Sequence, residues 1–210
     1  MNVLAIGAHF DDVELGCGGS LISHAAAGDN VYVYVATLSG FTNHKQEVVR
    51  ANDIARKEAE EAMRILGVRE LICGNFTTLS VEFTDELNMA ILQIVDQHKI
   101  DLVYAHWVHD VHHDHQAVAK ASLHSCRHVP CLLMYRSNWY HSTQSFRGNF
   151  YVDITNYLAV KEQAIRAHNS EMIRTGEKWI QFFHNEAENA GQRIGVRFAE
   201  VFELVKWLKK

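Results

Sequence analysis

Proline is almost absent from this chain of 210 residues, and its few cysteines form no C-x-x-C pair. The single proline is Pro130, and no stretch rich in proline, glycine or serine separates one part of the sequence from another. We therefore predict one domain spanning residues 1–210. The four cysteines follow no regular spacing, which argues against a disulfide framework and favours free thiols in a reducing compartment.

Basic charge and long apolar runs are also lacking. The formal net charge is -5, so we expect no basic surface for nucleic acid. No apolar run approaches the roughly 18 residues that a membrane span needs. The first residues show neither a basic flank nor a cleavage-site pattern, so we expect a cytoplasmic protein. The sequence leaves the oligomeric state open, a homo-oligomer included.

Short apolar runs alternate with amphipathic segments along the chain. The runs are too short for helices and are typical of strands buried on both faces; they lie at 3–6, 31–36, 70–73 and 101–105. Residues 54–66 between them place apolar side chains at helical spacing, and Gly67 is a natural end for that helix. This alternation predicts an α/β fold, a three-layer Rossmann-like mostly parallel sheet with helices on both faces.

Some element boundaries are harder to predict. We expect helices over 21–27 and 116–126, after loops that carry most of the polar residues. Further strands are expected at 131–135 and 150–154. One helix is expected over about 172–188, and the pattern leaves 199–205 undecided between strand and helix.

Polar side chains follow the first and fourth predicted strands. His9, Asp11 and Asp12 come directly after the first, and six of the 14 histidines lie between His106 and His124. The carboxyl ends of these strands can meet at a topological switch point, where ligands bind. Two histidines and one carboxylate form an open set of metal ligands that leaves a position for water. One of the two adjacent aspartates would then bind the ion and the other would act as general base.

A remaining histidine of the second cluster is a candidate proton or hydrogen-bond donor. Such a ring would stabilise a developing oxyanion if a carboxylate kept it charged. Asp114 is the nearest carboxylate in sequence.

These motifs resemble those of the PIG-L/LmbE-like family of metal-dependent (zinc) N-acetylglucosamine de-N-acetylases. The first family motif, A-H-P-D-D-x-E, corresponds to AHFDDVE at 8–14, and the second, H-P-D-H, to HHDH at 112–115. Weaker similarities follow at V-D-I (152–154), Lys161, H-x-S-Q (168–171) and G…A-E-x-F (195–202).

The resemblance implies three ligands for Zn²⁺ or another divalent ion: His9, Asp12 and His115. It also implies that Asp11 is the general base and that His112 stabilises the oxyanion or protonates the amine, with Asp114 orienting His112. The implied enzyme is a hydrolase that removes the acetyl group from an N-acetyl amino sugar or its conjugate. Its expected partner is that small N-acetylated sugar.

Several positions depart from the family pattern. Phe10 and His113 stand where both motifs have proline, and Glu171 replaces a glutamine. The family's R-x-x-E is only approximated, by Arg56 and Glu58, which makes Arg56 a candidate substrate contact.

Three loops are expected to recognise the substrate, at 38–47, 75–81 and 138–149. The last carries Trp139, which could stack on a sugar ring, and Arg147, which could pair with an acidic substituent. An ordinary surface loop is the alternative for this segment.

Other functions stay open at this point. An amidase acting on another acylated amine would share the site, and a non-haem iron oxygenase also uses two histidines and a carboxylate. A nucleotide-binding module is disfavoured, because the first turn lacks G-x-G-x-x-G and two aspartates would repel a pyrophosphate.

Overall fold

A computed structural model describes residues 1–209 of the chain. Nine strands are present in this range: β1 Asn2–Gly7, β2 Asn30–Thr37, β3 Phe41–Thr42, β4 Val48–Arg50, β5 Glu70–Phe76, β6 Leu102–His106, β7 Cys131–Tyr135, β8 Phe150–Asp153 and β9 Ala199–Trp207. Seven of them form one sheet in the order β5-β2-β1-β6-β7-β9-β8, and β3 pairs with β4 in a separate hairpin. Strands β5, β2, β1, β6 and β7 are parallel, whereas β9 is antiparallel to both of its neighbours.

Helices cover both faces of the sheet. Their bounds are α1 Asp12–Ala26, α2 Asn52–Leu66, α3 Asp85–His98, α4 His113–Ser125, α5 Leu158–Ala167, α6 Asn169–Thr175 and α7 Lys178–Ile194. Alternate residues of β1 point to opposite faces: Val3 packs with side chains of α1 and α2, and Leu4 packs with those of α3 and α4. The predicted three-layer, mostly parallel architecture is thereby confirmed.

Helix α1 begins at Asp12, well before the predicted start at residue 21. The glycines in its first half have low helical propensity, so the sequence pattern did not indicate a helix there. In the structure they allow close packing. A Cβ atom on Gly16 would lie 2.0 Å from the Tyr135 ring, and one on Gly19 would lie 2.7 Å from Ile154. Only glycine lets the helix approach this closely, and burial of the helix compensates for its low helical propensity.

Helix α4 likewise begins at His113 rather than at residue 116. Both polar clusters are therefore at the first turn of a helix that follows a buried strand. The predicted adjacency of the first and fourth strands is confirmed, because β1 pairs in parallel with both β2 and β6. After β1 the chain adds β2 and β5 on one side of it, and later adds β6 and β7 on the other side. The β1–β6 boundary is therefore a topological switch point.

The last quarter of the fold differs from the expected pattern. The helix expected over 172–188 is two helices, α6 and α7, because Gly176 takes a φ of 65° between them. The undecided segment is strand β9, which joins the sheet between β7 and β8. The expected stop of α2 is confirmed, since Gly67 adopts a left-handed conformation with φ 74°.

All four cysteines are free thiols, as expected. Within residues 1–209, none of the helices combines the length and the apolar character that crossing a membrane requires.

Candidate metal centre and active-site cavity

Three predicted metal ligands converge at the switch point. His9 comes from the turn after β1, Asp12 is the first residue of α1, and His115 is in the first turn of α4. The His115 Nε2 atom is 3.3 Å from His9 Nδ1 and 3.2 Å from Asp12 Oδ1, and His9 Nδ1 is 3.6 Å from Asp12 Oδ2. Bonds of about 2.0–2.2 Å to a tetrahedral zinc separate its ligands by about 3.3–3.6 Å. One ligand atom from each of the three side chains lies within 4.8 Å of the other two, so the set could hold a single divalent ion.

Each candidate ligand is oriented by a further polar group. The His9 Nε2 atom is hydrogen-bonded to Asp114 Oδ2 at 2.8 Å, and His115 Nδ1 lies 3.3 Å from Asp110 Oδ2. The Ser137 hydroxyl donates to Asp12 Oδ1 at 2.9 Å. Carboxylates behind metal-binding imidazoles are typical, because they fix the ring and increase its basicity.

The role expected for Asp114 needs correction. Its carboxylate lies against His9 and not against His112, although His112 is closer in sequence. The cause is the start of α4: His112 caps the helix, and its Nδ1 atom accepts the backbone N–H of Asp114 at 3.2 Å. The Asp114 carboxylate then projects into the fold, where His9 meets it.

The charges around the candidate ligands favour a cation. Burial opposes protonation of His9 and His115, but hydrogen bonds to Asp114 and Asp12 raise the pKa of His9 to about 9. The charge of Asp12 and the contact with Asp110 likewise raise the pKa of His115 to about 10. Buried carboxylates thus retain positive charge on these imidazoles, in the place where a divalent ion would supply it.

Asp11 lies beside this centre as a further carboxylate. It is the N-cap of α1 and has a φ of 111°, a conformation that is uncommon for any residue with a side chain. Burial raises the pKa of its carboxyl to about 7, and the charge of Asp12 adds to this, whereas Arg50 opposes it. An acid with a pKa near neutrality is suited to exchange protons with water.

His112 faces the same centre as a neutral ring, which corrects the expectation of a charged one. Burial lowers its pKa to about 4, and the positive charges of His115 and His9 contribute. Because Nδ1 accepts the Asp114 N–H, the single proton of the neutral ring is on Nε2. The ring is stacked on His115, with centroids 4.6 Å apart.

The sequence did not indicate Arg50, which is buried next to Asp11. Its guanidinium lies 3.4 Å from Asp11 Oδ2 and 3.2 Å from Glu58 Oε2. Arg56, the arginine expected to contact substrate, is instead 55% exposed on the outer face of α2 and pairs with Glu60. The correction follows from the hairpin: β4 ends at Arg50 and directs it inward, whereas α2 turns Arg56 towards solvent.

A buried histidine–glutamate pair supports Arg50. Arg50 Nη2 donates to His168 Nδ1 at 3.1 Å, and His168 Nε2 is 2.7 Å from Glu14 Oε1. An arginine can only donate, so Nδ1 is an acceptor and the proton on Nε2 is shared with Glu14. Glu14 ends the first motif and His168 begins the H-x-S-Q element, so the sequence contained both partners of this contact but did not indicate that they meet.

A cavity of about 290 Å³ opens above the centre. The three loops expected to recognise substrate all contribute to it, together with α6 and α7; the lining includes Ser39, Phe41, Thr78, Leu79, Asn138, Trp139, Tyr140, Glu171, Arg174 and Trp179. Arg147, however, is exposed and does not line the cavity. Its neighbour Phe146 packs on Trp107, with ring centroids 5.5 Å apart.

The fold is α/β, and at the switch point of its sheet lie three side chains that could hold a metal ion and leave a ligand position open. The chain belongs to the PIG-L family, since the model of that family, described as GlcNAc-PI de-N-acetylase, matches residues 4–126. The membership expected from the two motifs is thereby confirmed.

Three relatives extend the comparison. The uncharacterized deacetylase YaiS of Escherichia coli is 31% identical over 80% of this chain and 90% of its own. The diacetylchitobiose deacetylase of Thermococcus kodakarensis is 26% identical over 97% of this chain and 82% of its own. The solved N,N'-diacetylchitobiose deacetylase of Pyrococcus horikoshii, complexed with an inhibitor, superposes with a TM-score of 0.83, at 26% identity over 97% of this chain and 83% of that one.

Proposed function

We propose that this protein is a metal-dependent hydrolase that removes the acetyl group from an N-acetyl amino sugar or its conjugate. One observation carries the proposal: each pair of the three candidate ligand side chains has atoms 3.2–3.6 Å apart, with Asp12 facing each histidine through a different oxygen, beside a carboxylate, Asp11, that is not needed as a ligand. The relatives named as deacetylases, two of them diacetylchitobiose deacetylases, support this reaction and this class of substrate.

His9, Asp12 and His115 would bind the ion, most simply zinc, because two imidazoles and a carboxylate leave a fourth position free. When bound there, such an ion supplies Lewis acidity, which polarises an amide carbonyl and lowers the pKa of water to about 7. The hydrogen bond to Asp114 would keep His9 in the tautomer that ligation requires, and Asp110 lies 3.3 Å from the other ring nitrogen of His115.

Asp11 would accept the proton of the attacking water. Its N-cap position at the start of α1 holds the carboxyl at the cavity floor, and Arg50 limits its freedom to rotate. The raised pKa makes the ionised form a usable base near neutral pH, and the same carboxyl can later return the proton to the leaving amine.

His112 would donate its Nε2 proton in a hydrogen bond to the oxyanion that develops on the acetyl carbonyl. A neutral ring suffices for this task, because the donor is preorganised by its Nδ1 contact with the helix backbone.

The sugar would occupy the cavity between Trp139 and the β3–β4 hairpin. Trp139 and Tyr140 offer aromatic faces for a pyranose ring, and Arg174 offers a cation at the rim, where it is 48% exposed. An apolar wall with few polar groups is the usual composition of a site that orients a small molecule.

The experiment is a panel of N-acetylated compounds incubated with protein stripped of metal and reloaded with zinc. Free acetate and free primary amine should appear in equal amounts. Their release should be faster from N-acetylglucosamine conjugates than from N-acetylated amines without a sugar. His115→Ala should lose both zinc and activity, whereas His124→Ala, which alters an exposed histidine on the same helix, should lose neither. Full zinc content in His115→Ala would exclude it as a ligand, and activity confined to compounds without a sugar would refute the substrate class.

A further inference from the structure

The segment between β5 and α3 forms one wall of the cavity, through Thr78 and Leu79. The backbone of Leu79 has a φ of 64°, in the left-handed region that residues other than glycine and asparagine seldom adopt. Its own side chain is 46% exposed, so burial contributes little to fixing this conformation. The wall must be maintained by hydrogen bonds to its backbone.

Two consecutive residues of α4 make those bonds. The backbone N–H groups of Leu79 and Val81 donate to the Asp114 carboxylate at 2.8 and 2.9 Å. The Leu79 carbonyl accepts from His113 Nε2 at 2.8 Å. Asp114 also contacts His9, so its contribution to the wall cannot be separated from its contribution to the metal centre. His113 Nε2 also lies 3.1 Å from Asp114 Oδ1, but His113 contacts none of the three candidate ligands, so its substitution leaves the Asp114–His9 hydrogen bond in place.

We propose that His113 is a positioning residue that fixes the Leu79 wall and thereby determines how tightly substrate binds. Its ring is 60% exposed, outside the chemistry, and stacks on His112 with centroids 5.1 Å apart and planes 17° apart. His113 therefore joins the wall to a ring that lines the cavity. This inference rests on the proposed function, because the affinity in question is that for the acetylated substrate.

The position permits an unusually clean substitution. His113 is the first residue of α4, where proline is favoured, and within residues 1–209 its N–H donates no hydrogen bond. The preceding residue, His112, has φ −80° and ψ 123°, the extended conformation that a following proline requires. His113→Pro should therefore keep the helix and remove only the imidazole, as the proline of the family motif would.

The test compares His113→Pro, His113→Ala and His113→Gln with the unaltered chain. Loss of one hydrogen bond should raise KM by about two- to tenfold in the proline and alanine variants, with kcat within about twofold. Glutamine can donate to the Leu79 carbonyl and should restore KM. Zinc content should stay the same in all four proteins. Hydrogen exchange of the backbone amides at 77–81, measured without metal, should be faster in the proline and alanine variants only.

Several results would overturn the proposal: unchanged exchange, faster exchange with unchanged KM, a fall in kcat at constant KM, or no restoration by glutamine. The exchange measurement does not depend on turnover. If the unaltered protein releases no acetate, the proposed function fails, and exchange at 77–81 alone then decides whether His113 holds the wall.

Discussion

Asp11→Asn separates the base from the metal ligands. The change leaves His9, Asp12 and His115 intact, and asparagine tolerates the left-handed backbone at this N-cap. General-base catalysis contributes about 10²–10⁴-fold, so kcat should fall by that factor while zinc content stays at one ion per chain. Turnover near that of the unaltered protein would refute the role assigned to Asp11.

The same substitution should stabilise the metal-free protein. A carboxyl whose pKa rises from 3.8 to about 7 on folding favours the folded state only when protonated, so its ionisation destabilises the fold increasingly between those pH values. Each pKa unit corresponds to about 1.4 kcal/mol, which sets an upper limit of about 4 kcal/mol. Loss of the Arg50 contact reduces the gain, and we expect about 1–2 kcal/mol at pH 8.

Urea unfolding of both proteins at pH 5 and pH 8, without metal, measures this effect. The stability gain of the variant should be larger at pH 8, because the destabilising charge is then fully present in the unaltered chain. Asp96→Asn, on the exposed face of α3, is the matched control and should change stability little at either pH. A variant that is less stable than the unaltered chain at pH 8 would refute the electrostatic account of Asp11.

Three further outcomes are expected. Zinc binding near pH 7 should release at least one proton per ion, because the pKa values of His9 and His115 are raised and a ligand must lose its proton. Zinc affinity should therefore fall as the pH falls. Calorimetry in buffers of different ionisation enthalpy measures the number of protons released. His112→Ala should retain zinc and lose about 10²–10³-fold in kcat, the usual cost of one oxyanion donor, and normal turnover would remove it from the mechanism. Trp139→Ala should raise KM by about two- to twelvefold in the folded protein and also lower its melting temperature, because Trp139 packs on Phe182, whereas Trp207→Ala, which does not line the cavity, should leave KM unaltered.

The sequence predicted those parts of the site that are close together along the chain. His9 and Asp12, and His112 and His115, each lie within one turn of a helix start, and strand ends in a parallel sheet bring the two groups together. The pattern of short apolar runs was sufficient to predict this arrangement. The prediction did not depend on where each helix begins.

Contacts between distant segments could not be predicted in this way. The Asp114–His9 hydrogen bond joins residues 105 apart, and its choice of partner depends on how the first turn of α4 is rotated. Arg50 reaches Asp11 across 39 residues from a hairpin of two very short strands, which has no clear periodicity. The start of α1 was not predicted because glycines such as Gly16 have low helical propensity. Gly16 is suited to this position because it packs closely on Tyr135, which is a contact between distant segments.

Metal-dependent hydrolysis of the acetamide bond can be checked by mass analysis of the acetate that zinc-loaded protein releases in ¹⁸O-labelled water. We expect acetate with one oxygen from water, an equal amount of free amino sugar and no requirement for dioxygen. No product should form when zinc is removed or when Asp12 is changed to asparagine. Metal-dependent deacetylation is excluded if zinc-loaded protein releases no acetate from any N-acetylated sugar, or if turnover is equally fast without metal.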